Sequence, residues 1–309
     1  MRATERVSIG AGTSRFGQDS AAPGGRSSTV SSRWAQSSRS ERAFLICGAI
    51  IITVFVAAAI APQLFTRKNP DALYAGPPLV GPSPSYWFGT DELGRDFYAR
   101  VVYAARASLT MSVLIVAIGG TVGTVVGVVA GYVGGWLDEV LMRLTDLFLA
   151  LPGFVLALAL AAVLGRGEKS VVIALSIVWW PSYARLVRGM VLELKHRAHV
   201  EAARALGASG PHIIRKDIAP FTWSQINARL TQDLGYALVN VAGLGFLGLG
   251  VQPPATEWGS LLESGLQYIA TAWWLTLFPG LAITVWTVGV AMFGDGIAAL
   301  TRSEQRGYR

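Results

Sequence analysis

From Ala43 to Ala61 the sequence AFLICGAIIITVFVAAAIA holds no charged residue, and about 20 such residues are what a helix needs to cross the hydrocarbon of a bilayer. In that medium every backbone N–H and C=O must find a partner within the chain, which leaves helices and closed barrels as spanning structures. A continuous apolar run of this length, without alternation, selects the helix. Five further runs follow: Leu109–Tyr132, Leu144–Leu164, Val171–Met190, Leu234–Val251 and Trp274–Phe293. The expected fold is an all-α membrane protein with six transmembrane helices. A cleaved signal peptide is the competing reading of the first run, but the run exceeds the ~7–15 residues of a signal core and its polar approach is too long. Composition agrees: 52% of the residues are hydrophobic and 15% charged, where soluble domains carry about 25% charge.

The organisation follows. Residues 1–42, rich in Ser, Gly, Ala and Arg without apolar periodicity, read as a disordered cytosolic tail. Residues 43–62 form the first span, 63–106 an extracytoplasmic segment, 107–300 a five-helix core with a polar loop at 191–220, and 301–309 a cytosolic tail. Most of the 26 Lys and Arg fall in the two tails, at Arg143, and in the stretch from Arg185 to Arg229. The positive-inside rule then places both termini in the cytosol. The net charge of +7 thereby becomes a property of cytosolic loops and no sign of a nucleic-acid partner. Cys47 is the sole cysteine, so there is no disulfide framework, and His196, His199 and His212 lack a second cluster of metal ligands.

Two segments carry more specific information. Gly119, Gly123, Gly127, Gly131 and Gly135 recur every four residues and stack along one helix face. Another helix can approach closely there, either within this subunit or at a subunit interface or translocation path. In the loop, Glu201–Leu206 favours helix, Gly207 can end it in a left-handed cap, and Ser209 with Pro211 can start another. A helical hairpin protruding between two spans results. Arg143 and Asp146, three apart, are placed to pair.

The spacing of Glu201, Ala202, Ala203, Gly207, Ile218 and Pro220 within that loop resembles the signature loop of permease subunits of ATP-binding-cassette importers. The segments FGTDELGRD from Phe88, AGYVGGW from Ala130, MRLTD from Met142, GFLGLGVQPPATEWGSLL from Gly245 and AWWLTLFPGLA from Ala272 are similar to the C-type permease subunit of dipeptide and oligopeptide importers, from Phe88 onward. The resemblance implies the type I importer permease fold, with the loop as a coupling helix docked on an ATPase. Glu201 would make polar contacts there, Ala202 and Ala203 would allow close docking, and Gly207 would form the turn. Asp217 and Ala219 depart from the residues common at these positions. The implied partners are a B-type permease subunit, two ATP-binding subunits carrying ATP and Mg, an extracytoplasmic substrate-binding protein and a peptide substrate, in the bacterial inner membrane. Relatives handling nickel, haem or glutathione leave the substrate open.

This chain has no GxxxxGK[ST] sequence to cradle phosphates, so it is expected to bind no cofactor and to leave ATP hydrolysis to its partners. It has no HExxH or GxSxG either, which argues against an integral-membrane enzyme. An ion-coupled carrier would show inverted repeats and midplane charges. Asp233, Tyr236 and Asn240 share a face of the fifth span and can line a passage for a zwitterionic peptide, with hydrogen bonding to another helix as the alternative. Asp91, Glu92, Glu257 and Trp258 lie in outer segments that would face the binding protein or anchor at the membrane surface.

Overall fold

The computed structural model describes residues 39–306, and the expectations for residues 1–38 and 307–309 lie outside the described residues. Within them the chain is helical without a strand, and a single Thr90–Asp96 bridge pins the outer segment. The long helices are α1 (Arg39–Ile60), α2 (Phe97–Val133), α3 (Gly135–Leu149), α4 (Gly153–Leu164) and α5 (Glu168–Leu194). Two short helices, α6 (Ala198–Ala205) and α7 (Gly210–Ile213), lead through a π turn at Ile214–Ile218 into α8 (Ala219–Phe246). Then come α9 (Trp258–Leu266) and α10 (Trp274–Arg306), which carries helix into the expected tail after residue 300.

Four helices, α1, α2, α5 and α10, are long and apolar enough to cross a membrane, and α3 with α4 makes a fifth if the bent pair is one span. The third expected span is thus broken. Its two halves meet at 87°, because the residue before a proline is driven out of the helical region, and Pro152 caps α4 immediately after Leu151. The fifth expected span, Leu234–Val251, coincides with the second half of α8 only as far as Phe246, and α8, a 28-residue helix, is not among the apolar ones. Asn227, Arg229, Gln232 and Asp233 dilute its first half. Helix α2 begins at Phe97 rather than near Leu109, capped by the Asp96 carboxylate, which accepts from the Ala99 N–H at 2.9 Å. At 37 residues it is about 55 Å long, well beyond the ~30 Å of hydrocarbon. Its first three turns therefore precede the second expected span, which starts at Leu109.

The glycine ladder is an internal seam between α2 and α5. A β-carbon added at Gly119, Gly123, Gly127 or Gly131 would come within 2.5–2.9 Å of the β-carbons of Trp179, Tyr183, Val187 and Val191, respectively. Both rows advance by four, so one helix's ridge of side chains fills the other's groove. Gly135 does not belong to this seam. Helix α2 ends at Val133, Gly134 and Gly135 turn the chain with φ of +72° and +63°, and nothing lies within 4 Å of a β-carbon at Gly135.

Three apolar clusters succeed one another along α2. The outermost gathers Phe97, Val101, Trp258, Trp274 and Trp286; the middle one Met111, Ile115, Ala157, Leu175 and Leu244. The third joins Val187, Val191 and Leu194 to the short helices beyond α5. That last cluster fixes the hairpin to the bundle.

Candidate functional site

The hairpin after α5 is shaped by Gly207, whose φ of +83° is a conformation glycine adopts without steric cost. Two hydrogen bonds close the turn: Gly207 N–H donates to the Arg204 carbonyl and Ala208 N–H to the Ala203 carbonyl, both at 3.0 Å. This paired closure satisfies carbonyls that the end of α6 would otherwise leave open. Ser209 precedes α7 and Pro211 lies in its first turn, as the sequence suggests.

Val200, Ile213 and Ile218 are buried against Val187, Met190, Val191, Leu194 and Ile226, and Ala203 and Ala208 pack half-buried on the same cluster. Ile218 and much of Ala203 therefore hold the hairpin in place from within. Glu201, Ala202, Gly207 and Pro220 lie on its surface. A ring nitrogen of His199 sits 3.3 Å from the Asp217 carbonyl and the ring lies 5.1 Å from that of Phe221, tying α6 to α8. Leu206 escaped the sequence reading. It stands 88% exposed at the tip, and its only signal is its position directly before the capping glycine.

Beside the hairpin, α3 is clamped to α5 by ion pairs. Arg188 grips Asp138 through two hydrogen bonds of 2.5 and 2.7 Å, and Arg185 pairs with Asp146. The expected Arg143–Asp146 pair does not form. Arg143 instead reaches back one turn to Glu139 at 2.7 Å, leaving Asp146 to the neighbouring helix.

A groove of about 360 Å³ runs between α5 and α8, lined by Trp179, Ser182, Arg229, Asp233, Tyr236 and Asn240. All three expected path residues border it. Asp233 is 2% exposed and accepts from Arg229 Nε at 3.1 Å and Trp179 Nε1 at 3.3 Å. It thus makes the interhelical hydrogen bond that was the alternative, while Tyr236 is exposed and the Asn240 amide donates to the Tyr236 carbonyl at 2.8 Å. Arg229 was missed, although its spacing four residues before Asp233 suits a helical ion pair.

The outer residues require a correction. Asp91, Glu257 and Trp258 are buried, so none presents its side chain to a binding protein. Asp91 accepts from the N–H groups of Leu93 and Arg95, from Arg95 Nε at 2.6 Å and from Arg100. Trp258 Nε1 donates to the Val101 carbonyl at 2.9 Å, locking α9 onto α2. Glu257 caps α9 by accepting from Gly259 and Ser260 N–H, while its own N–H donates to Ser260 Oγ. Burial pushes its carboxyl up to about 7 even though both N–H donors pull the other way. Only Glu92 is partly open, paired with Arg95 at 3.0 Å.

Residues 123–303 match the family of binding-protein-dependent transport system inner membrane components. The chain is 37% identical over 255 residues to the probable D,D-dipeptide transport system permease protein DdpC of Escherichia coli K12, covering 82% of this chain and 86% of that protein. It is 38% identical over 252 residues to the dipeptide transport system permease protein DppC of Alkalihalophilus pseudofirmus, covering 82% and 83%. It is 43% identical over 217 residues to the glutathione transport system permease protein GsiD of Escherichia coli O157:H7, covering 70% and 72%. Among solved structures, an inward-facing MetNI methionine ABC transporter chain superposes with a TM-score of 0.55 at 20% identity, covering 66% of this chain and 97% of that one. The helical fold is shared with a solved transporter chain, and by the family match and these relatives the chain belongs to the family of binding-protein-dependent transport system inner membrane components.

Proposed function

We propose that this chain forms one half of the membrane pathway of an importer for dipeptides or short oligopeptides, driven by separate ATPase subunits. The observation that carries the reading is the hairpin at Glu201. Its inner face is anchored to α5 and α8 by a buried cluster, while Glu201, Ala202 and Leu206 stand exposed. A hairpin that exposes both an apolar side chain and a carboxylate is what a docking element needs, and a rigid anchor lets movement of the docked partner reach the spanning helices. Two ATP-binding chains would supply ATP and Mg. A B-type permease subunit would complete the pathway across the groove at Asp233, Tyr236 and Asn240. An extracytoplasmic binding protein would deliver substrate, with both termini of this chain in the cytosol of a bacterial inner membrane.

A peptide substrate is supported by the dipeptide permeases among its relatives, and glutathione, itself a peptide, falls within the same class. The test is ATP-dependent peptide uptake by the assembled complex in proteoliposomes, with retention of the ATPases measured in parallel. Glu201→Lys and Gly207→Val are expected to abolish uptake and release the ATPases from correctly inserted protein. Wild-type uptake and retention in both variants would remove the coupling assignment.

A further inference from the structure

At the extracytoplasmic end, three outer connections meet around a cavity of about 540 Å³ that no residue role described so far uses. The segment before α2 contributes Glu92, Arg95 and, one turn into the helix, Arg100; the α4–α5 turn contributes Arg166; the stretch from Gly245 to Ser264 contributes Gln252 and Glu263. Gly167 N–H donates to the Leu249 carbonyl at 3.1 Å, so the turn bearing Arg166 is fastened to the glycine-rich stretch that follows α8. The size falls in the range of small-molecule pockets, about 300–1,000 Å³. Its lining is charged, with both signs present.

The charges are unevenly satisfied. Arg95 is bound to Asp91 and Glu92. Arg100 is 6% exposed and gives Nη1 to Asp91, while its buried Nε has no hydrogen-bond partner among the described residues. That Nε is closed to solvent, so Arg100 acts from the cavity wall as a buried positive charge that, among the described residues, Asp91 alone partners. At the rim, Arg166 and Glu263 are both exposed, and neither makes an ion pair among the described residues. An acidic side chain of a docking protein would need the cations alone. Unpaired groups of both signs around a recess match a small ligand that itself carries both.

We propose that this cavity binds a short peptide with free termini, Arg166 taking the carboxylate with the charge of Arg100 behind it and Glu263 taking the ammonium group. The proposal rests on the peptide-importer reading and gives that pathway an outer receiving site.

The test uses the full chain in lipid nanodiscs and tritiated L-alanyl-L-alanine as probe. Saturable binding is expected, with the C-terminal amide of the same dipeptide at least ~10-fold weaker. Arg166→Gln should weaken the free acid to the level of the amide and leave the amide unchanged. Glu263→Gln should remove the preference for the free amine over the N-acetyl form. Both substitutions lie at the exposed rim, and Arg100→Lys extends the test inward. Equal binding of acid and amide, or no saturable binding, would overturn the proposal. So would an Arg166→Gln chain that binds dipeptide normally but loses an extracytoplasmic binding protein. Dipeptide uptake by the assembled importer, measured alongside, separates the two readings: uptake without binding here removes the site alone, and binding here without ATP-driven uptake removes the importer reading.

Discussion

The carboxylate of Glu257 lies against the α-carbon of Gly245, and a β-carbon at that glycine would overlap Oε1. The C-terminal end of α8 and the N-terminus of α9 are thereby fitted together around one buried acid. Gly245→Ala must move either the carboxylate or the helix it caps, at a cost of about 1–3 kcal/mol. A lowered thermal midpoint of the purified protein in detergent would register it.

The same acid should give the protein a pH-dependent stability. Its carboxyl is raised from 4.5 to about 7 by burial, so the folded state holds a proton that the unfolded chain has already released. Stability is then highest below pH 4.5, falls as pH rises toward 7 and levels off above it. The full span of that fall is roughly 3 kcal/mol. Thermal melts at pH 5 and pH 8 should show the higher midpoint at pH 5, and Glu257→Gln should flatten the difference while keeping one capping oxygen.

The glycine seam predicts a graded series. Gly127→Ala places a β-carbon 2.6 Å from the Ala184 carbonyl oxygen and 2.8 Å from Val187 Cβ, so α2 and α5 must part. A loss of about 1–3 kcal/mol is expected from such overpacking. Gly135→Ala meets no neighbour and is opposed only by its positive φ, about 1–2 kcal/mol. Gly127→Leu should abolish folded protein altogether, while Gly135→Ala keeps it. Size-exclusion profiles of the detergent-extracted variants would distinguish them.

The contrast between Gly131 and Gly135 shows where the sequence was legible. A four-residue repeat reads directly as a helix face, and four of the five glycines do meet α5. Nothing in the repeat marks where the helix stops, and paired glycines at 134 and 135 serve a turn as readily as a seam. The hairpin was legible for a different reason: a left-handed cap needs glycine, and Gly207 stands where a short helix must end. The outer segment was not. Asp91, Glu257 and Trp258 look like surface residues by type, and only the fold reveals that local backbone N–H groups, two arginines and a carbonyl on α2 satisfy them in the interior. Asp233 lay between these cases, because its face was evident and its partner on α5 was not.

Leu206 provides the sharpest separation between stability and coupling. It is 88% exposed and lies outside the buried cluster that anchors the hairpin, so Leu206→Ser should leave the thermal midpoint of the isolated chain within about 0.5 kcal/mol of the parent. In the complex its side chain would be buried against an ATPase, and losing an apolar contact of this size weakens docking by about 1.5–3 kcal/mol. Uptake and ATPase retention should therefore fall about tenfold or more. Ile218→Ser is the complement. It inserts a hydroxyl and a cavity into the cluster beneath the hairpin, at about 2–5 kcal/mol, and should lower the stability of the chain even without partners. If Leu206→Ser destabilises the isolated chain as strongly as Ile218→Ser does, the tip is part of the fold and its role as the docking contact is lost.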